Sequence, residues 1–216
     1  MTTFLLIVFL WIFSVCLHEF AHAIVAYKGG DTSVNDKGYL SLNPLRYLDP
    51  FSSVLIPTLV LIMGGIGLPG AAVYINTSAL RSPGWQSAVS LAGPAMNLLI
   101  LFLISLLIAA AGLQGTALGG ALAFFAFLQA TSVVLNMLPI PGFDGFGALD
   151  PYLPTDIRVL AQRIAPMAVL GFIAIIFFVP GVNAFIFGAC FKIAHMLGID
   201  PYDIQTGFKA FRFWKS

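Results

Sequence analysis

The sequence predicts an all-α polytopic membrane protein: a three-helix core, a re-entrant segment, a short β-hairpin or strand region, and two C-terminal membrane helices. Three observations point there. Of 216 residues, 59% are hydrophobic and 9% charged, against about 25% charged in an ordinary soluble domain. The apolar residues gather in runs long enough to cross a bilayer, which takes about 20 residues per helix. Breaks rich in Pro, Gly and Asp separate the runs. The chain reads as one membrane-embedded unit over 1–216, with a core at about 3–150 and a C-terminal helical pair and tail at 151–216. A net charge of +1 offers no basic surface for nucleic acid. Cys16 and Cys190 both sit in apolar runs, as small buried hydrophobes and not as a disulfide framework. The first run lacks a positive n-region, so it does not read as a cleaved signal peptide.

Residues 3–27 form the first spanning helix, ended by Lys28-Gly29-Gly30. Residues 28–50 are charged. Within them Tyr39-Leu40-Ser41-Leu42 alternates between Gly38 and Asn43-Pro44, the pattern of a short strand or hairpin. Residues 51–67 are apolar but contain Pro57 and end in Gly64-Gly65. A helix there reaches about 22 Å, short of the roughly 30 Å hydrocarbon core. Residues 68–84 read as loop or extended chain. Residues 85–112 and 117–138 are strong spanning helices joined by a tight turn, and Pro139 and Pro141 stop the second. Residues 142–163 are polar. Runs 164–179 and 182–198, split at Pro180-Gly181, complete the membrane part. The tail at 199–216 mixes Phe and Trp with Lys and Arg, which suits a headgroup interface.

His18, Glu19 and His22 form His-Glu-x-x-His inside the first apolar run. Four residues apart on a helix, the two histidines share a face one turn apart. That spacing lets two imidazoles hold one metal ion. Glu19, rotated about 100° from His18, reaches a water at such a metal without being a ligand. Glu19 is the sole glutamate, and two of three histidines stand here. An ionisable group at membrane depth costs about 2.5–3.5 kcal/mol on insertion scales. Three polar residues merely satisfying one another explain this cluster less well than a metal site does.

A catalytic zinc usually has three protein ligands plus water. The candidates for the third are His195 and the aspartates. Asp144 is preferred, because Pro139 and Pro141 end a helix beside it and Gly142 and Gly145 flank it with permissive backbone. His195 reads as an interfacial histidine facing solvent. If Asp144 joins the histidines, helices 3–27 and 117–138 run the same way and helix 85–112 runs opposite. Residues 28–84 then leave and return to one side, so run 51–67 is re-entrant, or spans with 68–84 as its return. With the C-terminal pair going out and back, all ten Lys and Arg fall at the metal end. The positive-inside rule makes that end cytoplasmic and the N-terminus external, in a plasma (inner) membrane.

The chain resembles the site-2 proteases, intramembrane zinc metalloproteases that cut membrane-spanning substrates. His-Glu-Phe-Ala-His at 18–22 matches their first motif. Asn136 to Gly145 matches N-x-x-P-x-P-x-x-D-G, and Gly93-Pro94-Ala95-Met96-Asn97 matches G-P-x-x-N. The stretch from Gly38 to Pro50 looks like a segment of compact prokaryotic members, although Tyr47 stands where many carry histidine. No stretch resembles the PDZ-like or CBS-like domains of other members. The resemblance covers about residues 5–150. It implies one Zn2+ per chain held by His18, His22 and Asp144, with Glu19 as base. It also implies Asn136 and Asn97 as helpers that hold substrate backbone or the oxyanion. The implied partners are a transmembrane protein substrate and the bilayer, with a second copy of the chain also admitted. A membrane metal transporter would need a row of ligands along a path, whereas here they cluster on one side. A non-catalytic scaffold would not need Glu19.

Overall fold

The computed structural model describes residues 1–43, 46 and 73–215. Among these are eight α-helices and no strand. They are α1 (Thr2–Gly29), α2 (Ser33–Asp36), α3 (Pro83–Ala110), α4 (Ala117–Asn136), α5 (Asp144–Leu149), α6 (Thr155–Phe178), α7 (Pro180–Met196) and α8 (Pro201–Phe211). Four of them, α1, α3, α4 and α6, are long and apolar enough to cross a membrane.

Local chemistry sets the ends. Gly30, at φ +121°, terminates α1 in a conformation that side-chain-bearing residues rarely adopt. Ser82 caps α3 from its hydroxyl, and Pro83 occupies the first turn, where no helical donor is needed. Thr116 accepts the Gly119 N–H at 3.0 Å and starts α4. Helix α4 is the hub, with Phe124, Phe125, Leu128 and Leu135 all buried. Helices α1, α3, α7 and α8 pack around it. Leu98, Phe102 and Leu106 of α3 and Met167 and Leu170 of α6 are exposed. Lipid tails are as apolar as these side chains and cover such faces without cost.

The structure corrects the expected fold class in two places. Residues 39–42 are a turn, not a strand or hairpin. Gly38 has φ +74°, the Tyr39 N–H returns to the Val34 carbonyl at 2.9 Å, and the Ser41 N–H returns to Gly38 at 3.3 Å. Tyr39 is buried in a cluster with Val34 and Ala26, and Leu40 beside it packs partly against the same cluster, so the two do not alternate between faces. The second correction concerns the C-terminal pair. Helix α6 begins at Thr155, well before the expected residue 164, and Pro166 is absorbed within it. Helix α7 has 17 residues, about 25 Å, and passes as a span only if joined to α8 across a 117° bend.

The tail also lies at the other end of the molecule. Phe211, Phe213 and Trp214 pack against Phe4 at ring separations of 5.1, 5.7 and 5.9 Å. Asp203 accepts the Gly115 N–H, in the turn before α4. Lys209, Arg212 and Lys215 therefore sit away from the histidine end of α1, and the expected ten-to-none charge split does not hold. The proposed re-entrant run 51–67 and Tyr47 lie outside the described residues.

Candidate metal centre

Helix α1 carries His18, Glu19 and His22 within its last three turns, all buried. Helix α3 crosses them at Gly93. A Cβ added there would overlap His18 Nε2 and His22 Nε2, so only glycine lets the helices close this far. The chain leaves α4 through Pro139 and Pro141, and Gly142 turns it at φ +101° against Val169 and Ala165. Asp144 then opens α5. That helix is seated on α3 by the Ser87 hydroxyl, which donates to the Ala148 carbonyl at 2.7 Å. It is also seated by the bare α-carbon of Gly147 beside Ser90.

Three donor groups converge. His18 Nε2 and His22 Nε2 are 3.0 Å apart. Asp144 Oδ2 is 3.3 Å from the first and Oδ1 is 3.5 Å from the second. Ligands about 2.0–2.1 Å from a tetrahedral zinc stand roughly 3.3 Å apart, so this triangle matches such a set. The protonation pattern agrees. His22 Nδ1 is 2.7 Å from the Val89 carbonyl oxygen, which can only accept. Nδ1 therefore carries the proton and Nε2 presents a lone pair. Lone pairs and a carboxylate facing one another at 3.0–3.5 Å form a set that a cation between them would satisfy.

Glu19 stands beside this set. Its carboxylate and the ring nitrogens of His18 and His22 all lie within 4.8 Å of one another. A cavity of about 290 Å³ opens over the group, lined by Asn136, Val73, Ile75, Ser90, Phe143 and Val169 among others. Asn97 is buried but is not part of that lining. It lies one turn further along α3 than Gly93. His195 is exposed in the last turn of α7, near the Ser105 end of α3, and does not join the site.

Sequence reasoning did not reach several parts of this site. Gly93 was visible only as part of a motif, although a glycine inside a strong apolar helix signals close approach. Val89 contributes only its carbonyl, which carries no side-chain signature. Val169 comes from α6. Asp31 pins the wall by accepting the Asn76 N–H at 2.7 Å and the Ser33 hydroxyl at 2.6 Å.

Comparison with known proteins decides the family. The chain is 39% identical over 216 residues to "Putative zinc metalloprotease Rip2" of Mycolicibacterium smegmatis, covering 99% of this chain and 82% of that one. It is 42% identical to the Mycobacterium tuberculosis H37Rv protein of the same name, over 98% and 81%. The chain belongs to the site-2 protease family. "Putative zinc metalloprotease YwhC" of Bacillus subtilis is a more distant relative of this site-2 protease, 32% identical over 156 residues and 68% of each chain. No protein-family model and no solved structure matches it. It is a multi-pass membrane zinc metalloprotease, which sets aside the transporter and scaffold alternatives.

Proposed function

We propose that this protease holds its zinc with His18, His22 and Asp144, uses Glu19 as proton shuttle, and cuts an unwound segment of a transmembrane protein. The convergence of three donors from two separated stretches of chain, with Glu19 beside them in one buried cavity, carries the assignment. When bound, zinc supplies Lewis-acid activation of a water and of the scissile carbonyl. His22, oriented by the Val89 carbonyl, keeps Nε2 free for the ion. Glu19 accepts a proton from the attacking water and delivers it to the leaving amine nitrogen. Asn136, in the cavity lining, donates its amide N–H to the oxyanion of the tetrahedral adduct. Asn97, outside the lining, keeps a helix-packing place.

Backbone hydrogen bonding favours an extended substrate. The catalytic cavity adjoins a second of about 280 Å³, and the two share Ile75, Val89, Ser90, Gly142 and Phe143. Helical amides are already paired, so the scissile bond must leave its helix before attack.

Charge supports a cytoplasmic site and an external N-terminus in the plasma membrane. Lys28, Lys37, Arg46, Arg81, Arg158 and Arg163 belong to segments at the metal end. Lys209, Arg212 and Lys215 lie at the other end, and Lys192 lies on α7. The bias is six to three, in the direction of the positive-inside rule.

Zinc content of the purified protein tests the ligand set without a substrate. About one zinc per chain is expected, weakened in His18→Ala and in Asp144→Ala. Glu19→Gln should keep its zinc and lose catalysis by about 10²–10⁴-fold. Full zinc affinity in Asp144→Ala would remove Asp144 from the set.

A further inference from the structure

One helical turn beneath the donor triangle lies a polar layer that the reaction does not use. Ser14 precedes His18 by four residues and so shares its face of α1. Its hydroxyl donates to the Trp11 carbonyl at 2.8 Å and accepts from Gln129 Nε2 of α4 at 3.0 Å. Gln129 is 1% exposed, on the helix that forms the hub of the bundle. The amide is only half satisfied, because Gln129 Oε1 is buried with no hydrogen-bond partner.

His18 has the complementary deficit. With Nε2 directed to the donor triangle as a bare nitrogen, Nδ1 must carry the proton. That Nδ1 is also buried with no hydrogen-bond partner. His22 has solved the same problem with the Val89 carbonyl. So among the described residues one buried donor lacks an acceptor on a metal-site histidine. One buried acceptor lacks a donor on a glutamine tied to that histidine's own helix one turn below. Inside a membrane each such group costs free energy if left alone. A histidine that binds metal through one nitrogen nearly always donates from the other.

We infer that Gln129 is the positioning residue for His18, its Oε1 taking the His18 Nδ1 proton through one bridging water, with Ser14 fixing the amide. Gln129 touches neither substrate nor metal. It acts by holding His18 in the tautomer and rotation that present Nε2. The inference rests on the ligand assignment proposed above.

The test compares zinc affinity of wild type with Gln129→Leu, Gln129→Glu and Ser14→Ala, by competition with a chromophoric chelator. It is paired with nitrogen NMR of histidine-labelled, metal-free protein. Gln129→Leu keeps the shape and removes the acceptor. Zinc should bind about 10–100-fold more weakly, and His18 should lose its predominant Nδ1–H form. Gln129→Glu retains an acceptor and should restore both. Ser14→Ala, a smaller change, should shift both readouts in the direction of Gln129→Leu and keeps the inference testable if that variant fails to fold. Wild-type affinity and tautomer in both Gln129→Leu and Ser14→Ala would overturn it. Wild type that bound no zinc would instead refute the ligand assignment, and this inference would fall with it.

Discussion

Gly93 has no side chain, and the imidazoles of His18 and His22 occupy the space where one would be. Replacing it with Ala, among the mildest changes available, should act as a site mutation. The added methyl meets Nε2 of both histidines, and its helix backbone cannot retreat without unseating α1 from α3. The expected outcome for Gly93→Ala is at least about tenfold weaker zinc binding with unchanged helical content, read by chelator competition and circular dichroism. Legibility at this scale divided by chemistry. His18, Glu19, His22 and Asp144 were readable because ionisable residues are conspicuous in an apolar chain, and the structure brings them together. The Val89 carbonyl and the Gln129 amide were not, since a main-chain acceptor has no letter of its own. A lone glutamine in an apolar helix reads as an ordinary interhelical hydrogen bond.

At the level of elements, the short helix α5 matters most, because Asp144 is its first residue. Its position depends on Gly147 lying against Ser90 and on the hydroxyl of Ser87. A valine at 147 should lever α5 away from α3 and withdraw the carboxylate from the histidines. Gly147→Val should therefore mimic Asp144→Ala in zinc affinity although residue 144 is unchanged, and Ser87→Ala should do so more weakly. Next in the chain, Asp150 accepts from Gln86 at 3.0 Å and from Arg158 at 3.0 Å, fastening the start of α6 to α3. Asp150→Ala leaves both donors unpaired, at a cost of about 1.5–3 kcal/mol. The expected outcome is a lower unfolding temperature in detergent and faster proteolysis near residue 154. Element boundaries were readable to within two residues at some Pro and Gly positions: α3 starts at Pro83 against an expected 85, and α4 ends at Asn136 against an expected 138, whereas Pro166 lies inside α6 and ends nothing. Residues 142–163 were read only as polar, with no helix assigned to them. Residues 144–149 and 155–163 are helical because Asp144, Asp150 and Arg158 find partners inside the protein and not in water.

For the whole molecule, the arrangement of ends decides how it sits in a bilayer. The site end carries residues 28–43 and 73–82, and the opposite end carries α8 and the aromatic tail. Cys16 and Cys190 are buried, so background labelling of the native thiols should be low. A membrane-impermeant maleimide should label Ser78→Cys only from the cytoplasmic side and Gln205→Cys only from the other. Labelling of both from one side would refute the placement of α8, and the reverse pattern would refute the orientation. The sequence could not reveal this. Its hydropathy shows that 182–198 is apolar. It does not show that α7 stops short and that Gly207 lies against the Gly120 backbone, where a Cβ would overlap the carbonyl.

The packing of Phe4 against Phe211, Phe213 and Trp214 also sets a clock. The two sides of that contact come from opposite ends of the sequence, and a ribosome adding about 5–20 residues per second separates them by roughly 10–40 s. The histidines are made early, Asp144 follows after about two-thirds of that interval, and the aromatic contact closes last. A nascent chain paused before Asp144 would present His18 and His22 to the membrane without their carboxylate. On the proposed ligand set, the three-donor site is therefore incomplete until the second half of the chain has been made.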